Sequence, residues 1–218
     1  NNFGGKGQHD AKPSLRSHPT GIGDSKGWDM GAAGFAAVWA TENSREAIYE
    51  AFARKEVYGS SGPRISLRFF GGYDFQQADA ASARLAEIGY AKGVPMGGDL
   101  PPSKDRPAQF LVFAAKDPNA GNLDRIQIVK GWLDKDGKSH ETVYDVALSD
   151  GRKDGSMAVG NTVDLKTASY KNSIGDTTLG AVWTDPDFDP AQNAFYYARV
   201  LEIPTPRYSL MEAVALGI

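Results

Sequence analysis

From Ile65 onward the apolar residues of this 218-residue chain arrive in runs of strand length, separated by turn chemistry. Ile65, Leu67 and Phe69 alternate with Ser66, Arg68 and Phe70, the two-residue period of a strand. Residues 109–115 are almost wholly apolar and read as a core strand. Residues 123–132 and 141–148 flank Asp134-Lys135-Asp136-Gly137-Lys138, where aspartate and glycine supply the reversal of a hairpin. Residues 162–165, 178–184 and 195–203 add three further strands. A helix is expected over about 77–88, where alanines, Arg84, Leu85 and Glu87 are good helix formers. Many strands, regular turns and few helices predict a mainly β protein, an antiparallel β-sandwich.

Ahead of this region the pattern differs. Residues 1–34 are rich in glycine and small polar residues, keep no period, and read as loop. Phe35 to Ala40 is a short apolar stretch, expected as a buried strand. A helix follows, with Asn43 as its cap and Glu46 completing a capping box. Its apolar stripe is Ala47, Ile48, Ala51 and Phe52. Ile48 and Phe52 are expected to pack on the sandwich or on a neighbouring chain, because a bare apolar patch is rare. Tyr58-Gly59-Ser60-Ser61-Gly62-Pro63 is expected to end the helix.

Charge and composition exclude several function classes. The 24 basic and 27 acidic residues leave a formal charge of −3, so the net basic footprint of a nucleic-acid binder is absent. No cysteine is present, which excludes a disulfide framework, a thiolate zinc site and a cysteine nucleophile. No apolar run approaches the ~20 residues needed to span a bilayer, so no membrane partner is expected. The first residues lack the apolar segment of a signal peptide, and the first methionine is Met30. With the abrupt apolar finish Ala215-Leu216-Gly217-Ile218, this predicts a fragment of something longer.

Few residues have the chemistry of a site. His9, Asp10 and His18 could ligate a metal, but their spacing matches no ligand motif and they read as loop residues. His140 stands alone beside a hairpin and reads as structural. Asp185-Pro186-Asp187-Phe188-Asp189-Pro190 begins like a calcium loop, yet Pro190 replaces the required glycine and Tyr196 the required glutamate. It reads as a rigid acidic turn. Ser60-Ser61-Gly62-Pro63-Arg64 is the candidate substrate contact. Its small residues admit a ligand to the backbone, and Arg64 suits a phosphate or carboxylate. The plainer reading is a joining turn with one salt bridge. No histidine lies nearby in sequence to activate Ser60 or Ser61. His18 is kept beside them as a candidate contact, and no metal ligand is assigned. Trp132, Tyr144, Trp183, Tyr196 and Tyr197 could floor a carbohydrate site or fill the core.

Longer motifs carry a resemblance. Phe35-Ala36-Ala37-Val38-Trp39-Ala40-Thr41-Glu42-Asn43-Ser44-Arg45-Glu46-Ala47-Ile48, Arg54-Lys55-Glu56-Val57-Tyr58-Gly59-Ser60-Ser61-Gly62-Pro63-Arg64-Ile65 and Arg68-Phe69-Phe70-Gly71-Gly72 resemble one bacterial family. So do Asn122-Leu123-Asp124-Arg125-Ile126-Gln127-Ile128-Val129-Lys130-Gly131-Trp132, Ala181-Val182-Trp183-Thr184-Asp185-Pro186 and Phe195-Tyr196-Tyr197-Ala198-Arg199-Val200-Leu201-Glu202-Ile203-Pro204. That family is a domain of unknown function, number 3604, related to the PHP (polymerase and histidinol phosphatase) metallo-hydrolases. The resemblance implies that residues 1–64 end a PHP-like hydrolase domain and that residues 65–218 form its β-sandwich partner. It implies a divalent zinc or manganese site in the parent, none in this fragment, and an exported, periplasmic home. The parent's last ligand triplet, aspartate–serine or threonine–histidine, would precede Asn1, and His9-Asp10 does not reproduce it. Two functions follow. One is the C-terminal portion of a metal-dependent, phosphoesterase-like hydrolase, inactive alone. The other is a binding module for a glycan or a protein. The expected partner is the missing hydrolase domain of the same chain, or a second copy covering surface bared by truncation.

Overall fold

The computed structural model describes residues 34–218. Strand β1 (Phe35–Val38), helix α1 (Arg45–Ala53) and β2 (Val57–Ser60) come first, with β1 and β2 paired antiparallel. A four-stranded sheet has the order β4-β3-β5-β8, from β3 (Ser66–Gly72), β4 (Gly93–Pro95), β5 (Gln109–Ala115) and β8 (Thr178–Thr184). A three-stranded sheet has the order β7-β6-β9, from β6 (Leu123–Leu133), β7 (Ser139–Leu148) and β9 (Ala194–Glu202). Every pairing is antiparallel. A 3-10 turn (Gln77–Ala81), α2 (Leu85–Lys92) and α3 (Tyr208–Leu216) complete the described chain. The protein is mainly β, with antiparallel sheets. Among the described residues no helix is long and apolar enough to cross a membrane.

Burial explains the sequence pattern. One core joins Leu67, Phe69, Phe110, Val112 and Leu179 of the four-stranded sheet to Leu123, Ile126 and Ile128 of β6. The other face of the four-stranded sheet buries Phe70, Leu111 and Val182 against Phe75, Ala80 and Leu85. Strand β5 is therefore covered on both sides, and its uninterrupted apolar run follows from that. Gly89 lets α2 settle on this second face: a Cβ there would lie 2.5 Å from the Phe70 ring.

Several expectations need correction. Ser44, not Asn43, caps α1, its Oγ accepting from the Ala47 N–H at 3.3 Å. The side chains α1 buries are Ala47 and Ala51, while Phe52 is 48% exposed. Small residues let the helix backbone approach its support, and the larger Phe52 turns outward. The helix expected over 77–88 divides into the 3-10 turn and α2, because Ser82 is extended (φ −76°, ψ 134°). Residues 162–165 form no strand, only an isolated bridge between Asp164 and Ser169. The segment expected only to end the first helix instead contributes β2.

Two polar anchors hold the long connection between β7 and β8. The Arg152 guanidinium, almost fully buried, donates to the Asp124 carboxylate and carbonyl, the Ser149 carbonyl and the Met157 carbonyl. The Asn122 side-chain amide donates to the carbonyls of Asn172, Ile174 and Gly175. Buried carbonyls without such donors would carry a desolvation cost.

Candidate functional site

A cleft of about 720 Å³ opens where the edge strands β4 and β9 approach. Its walls combine Tyr58, Phe69, Phe110 and Met96 with Phe188 and Tyr196, and Lys130 lies at its floor. Concave, largely apolar spaces with a few placed polar groups are what small-molecule sites require.

The floor is a satisfied polar cluster. Lys130 on β6 has a side chain only 3% exposed and pairs with the fully buried Asp185 at 2.7 Å. Its ammonium also donates to the Asp187 carbonyl at 2.6 Å. Asp185 accepts from the Tyr196 hydroxyl at 2.6 Å and from the Asp187 N–H at 2.9 Å. Asp187 in turn accepts from the Tyr144 hydroxyl at 2.7 Å. Burial, then the Asp187 carboxylate, pushes the Tyr144 phenol up to about 12. Burial and Asp185 push Tyr196 upward as well. Both phenols are proton donors at neutral pH. The acidic segment read as a rigid turn owes its position to this cluster: Asp185 faces inward to an ammonium.

A second cation stands at the rim. Helix α1 ends with the Lys55 N–H donating to the Phe52 carbonyl and the Glu56 N–H to the Ala51 carbonyl, both at 3.0 Å. This closing pattern places Lys55 in the left-handed region, φ 62°, where glycine is the usual residue. Lys55 lines the cleft and is exposed, and among the described residues no carboxylate pairs with it. Below it, buried Glu56 accepts from Arg54 at 3.0 Å and from the Tyr90 hydroxyl at 2.6 Å. Trp39 donates to the Leu67 carbonyl at 2.8 Å, and the Arg68 guanidinium lies 3.3 Å from its ring centroid. These contacts tie residues 34–64 to β3 and so build the cleft wall.

The sequence candidates lie elsewhere. Ser60, Ser61 and Arg64 stay together on the β2–β3 connection and do not line the cleft. The Ser60 hydroxyl donates to the Pro63 carbonyl and accepts from the Gly62 N–H, shaping a turn. Ser61 is exposed. The Arg64 N–H is held by the Asp117 carboxylate at 2.8 Å, and its guanidinium lies 5.5 Å from the Phe35 ring centroid. No carboxylate forms an ion pair with that guanidinium among the described residues. His9, Asp10 and His18 lie outside the described residues. His140 bonds Asp134 at 2.7 Å and stacks on Trp132. Among the described residues no three histidine, aspartate or glutamate side chains form a set able to hold a metal ion. The described residues therefore offer no ligand set for the implied zinc or manganese. Lys55 and Lys130 escaped sequence reading because a lone lysine on a helix end or strand carries no motif.

The whole chain, residues 1–218, matches a family described as "Protein of unknown function (DUF3604)". The chain matches no curated protein and no solved structure. It belongs to the DUF3604 family.

Proposed function

We propose that this DUF3604 member is the β-rich, substrate-holding lobe of a PHP-like metal-dependent hydrolase acting on phosphate or another anionic ester. In this reading the two sheets form a sandwich over residues 65–218, and residues 1–64 end the hydrolase domain. The metal ligands belong to sequence upstream of Asn1.

The observation that supports this most is the cleft with Lys55 at its rim. A lysine that lines an aromatic-walled cleft, with no carboxylate partner among the described residues, suits a ligand with an apolar body and an anionic head. A residue kept in a backbone region that favours glycine also points to a use for its side chain. Lys130 is engaged by Asp185 and Asp187, so among the described residues lining the cleft Lys55 is the cation that can meet the anion. Arg64, with Ser60 and Ser61, is proposed as a second contact at the end of the hydrolase portion.

Titration of the chain with phenyl phosphate, followed by calorimetry, tests the site. Saturable binding that Lys55→Ala weakens about tenfold supports it. Equal binding of phenol, or no effect of Lys55→Ala, overturns it. The parent reading has its own test. Protein extended upstream of Asn1 should contain stoichiometric transition metal and cleave a generic phosphodiester, while the 218-residue chain should do neither. Turnover by the short chain would overturn it. A free-standing binding module is the second reading, and the exposed rings of the three-stranded sheet favour it.

A further inference from the structure

The outer face of the three-stranded sheet carries aromatic rings that the core does not use. The register sets Phe195, Gly131 and Glu141 in one row, Tyr197, Val129 and Val143 in the next, and Arg199, Gln127 and Asp145 in the third. Phe195 and Tyr197 are 62% and 43% exposed, their centroids 6.4 Å apart and their planes within 11°. The Phe195 ring reaches over its neighbour because that neighbour is glycine: a Cβ on Gly131 would come within 2.3 Å of the ring. The two nearly parallel rings stand side by side with much of their surface in solvent.

The adjoining row is polar and already ordered. Arg199 Nε donates to the Gln127 side-chain oxygen at 2.8 Å, and the Gln127 amide donates to Asp145 at 2.8 Å. Arg125 supports Asp145 from the next position at 2.9 Å. Arg199 and Asp145 are exposed and keep donors and acceptors to spare, as does Glu141 at the other end. Both signs of charge occur side by side, so the face selects for hydrogen-bonding capacity and not for net charge.

We propose that this face binds a neutral glycan, a pyranose ring lying across Phe195 and Tyr197 with its hydroxyls bonded to Arg199 and Glu141. A pyranose with equatorial hydroxyls has an apolar C–H face and a polar perimeter. The surface has the same division: exposed rings in the middle, donors and acceptors around them. An apolar protein partner would bury the Arg199–Gln127–Asp145 row without completing its hydrogen bonds, which is costly. The preset row and rigid rings lose little freedom on binding. The inference rests on the binding-module reading, and its failure leaves the cleft reading standing, since phenyl phosphate titration reads the latter separately.

Affinity electrophoresis in gels containing soluble β-glucan, xylan, glycol chitin or starch tests the proposal. Retardation by at least one of these polymers is expected, with Tyr197→Ala and Phe195→Leu each weakening it about tenfold. Phe195→Leu keeps an apolar cover over Gly131, and an unchanged circular dichroism melt shows that the fold survives. No retardation by any polymer, or retardation that both variants retain, overturns the proposal. Self-association that Phe195→Leu abolishes overturns it too, by giving the face to a second copy.

Discussion

The two main sheets are built from similar strands but differ in what covers them. In the four-stranded sheet, β5 has Leu111 facing α2 and the 3-10 turn and Val112 facing the other sheet, both fully buried. In the three-stranded sheet, β7 and β9 alternate between half-buried and exposed positions along most of their length. The first sheet is therefore packed on both faces and spends its side chains on stability. The second keeps one face in water, and it supplies Lys130, Tyr144 and Tyr196 to the cluster between the sheets. That cluster lies on the dry inner side, where its polar members satisfy one another.

Breaking the polar cluster that links the sheets gives the largest expected effect. Lys130→Ala strips the buried Asp185 of its cation and should cost about 3–5 kcal/mol in urea unfolding. The pair Lys130→Met with Asp185→Leu removes both charges and should recover much of that loss. If the single and double variants are equally unstable, the cluster does not act as a pair.

Truncation separates the sheets next. Leu111→Ala on β5 should cost about 2–5 kcal/mol. Val143→Ala on the wet face of β7, 41% exposed, should stay within about 0.5 kcal/mol. Equal costs would mean that the outer face is covered after all.

A pH effect sharpens the comparison at the far end of β9. Burial, reinforced by Asp117, raises the Glu202 carboxyl from 4.5 to about 7, and its buried Oε1 has no hydrogen-bond partner among the described residues. The folded state then holds a proton that the unfolded state has released, so this group makes stability fall as pH rises from 4.5 to about 7. Glu202→Gln should flatten that slope in melting temperature, and an unchanged slope would assign it to other groups.

The smallest effect concerns Lys55. Lys55→Gly relieves the left-handed backbone and should stabilise by about 0.5–1 kcal/mol. The same variant should weaken phenyl phosphate binding. Stability and binding would then move in opposite directions, as strain kept for function requires.

Legibility in the sequence followed coverage. Strands β5 and β8 and the β6–β7 hairpin were readable because apolar runs and an Asp-Gly turn report burial and reversal locally. Residues 162–165 misled because strand-like composition needs a partner to pair with, and only the Asp164–Ser169 bridge is available. Strands β2 and β4 were missed since Gly59 and Gly93 interrupt any local strand signal, and pairing with β1 and β3 holds them extended. The acidic turn and the aromatics were noticed as groups, but not as partners.

The amino-acid sequence by itself determined the mainly β class, the antiparallel hairpin and the family, because period, turn chemistry and long motifs are written in neighbouring residues. Only the tertiary structure decided that Lys130 meets Asp185 across 55 positions, and that the Phe195 ring covers Gly131. It also brought Lys55 to the rim of a cleft walled by β3, β4 and β9. Those juxtapositions depend on how the sheets pack, and the free energy of packing is shared among residues far apart in the chain.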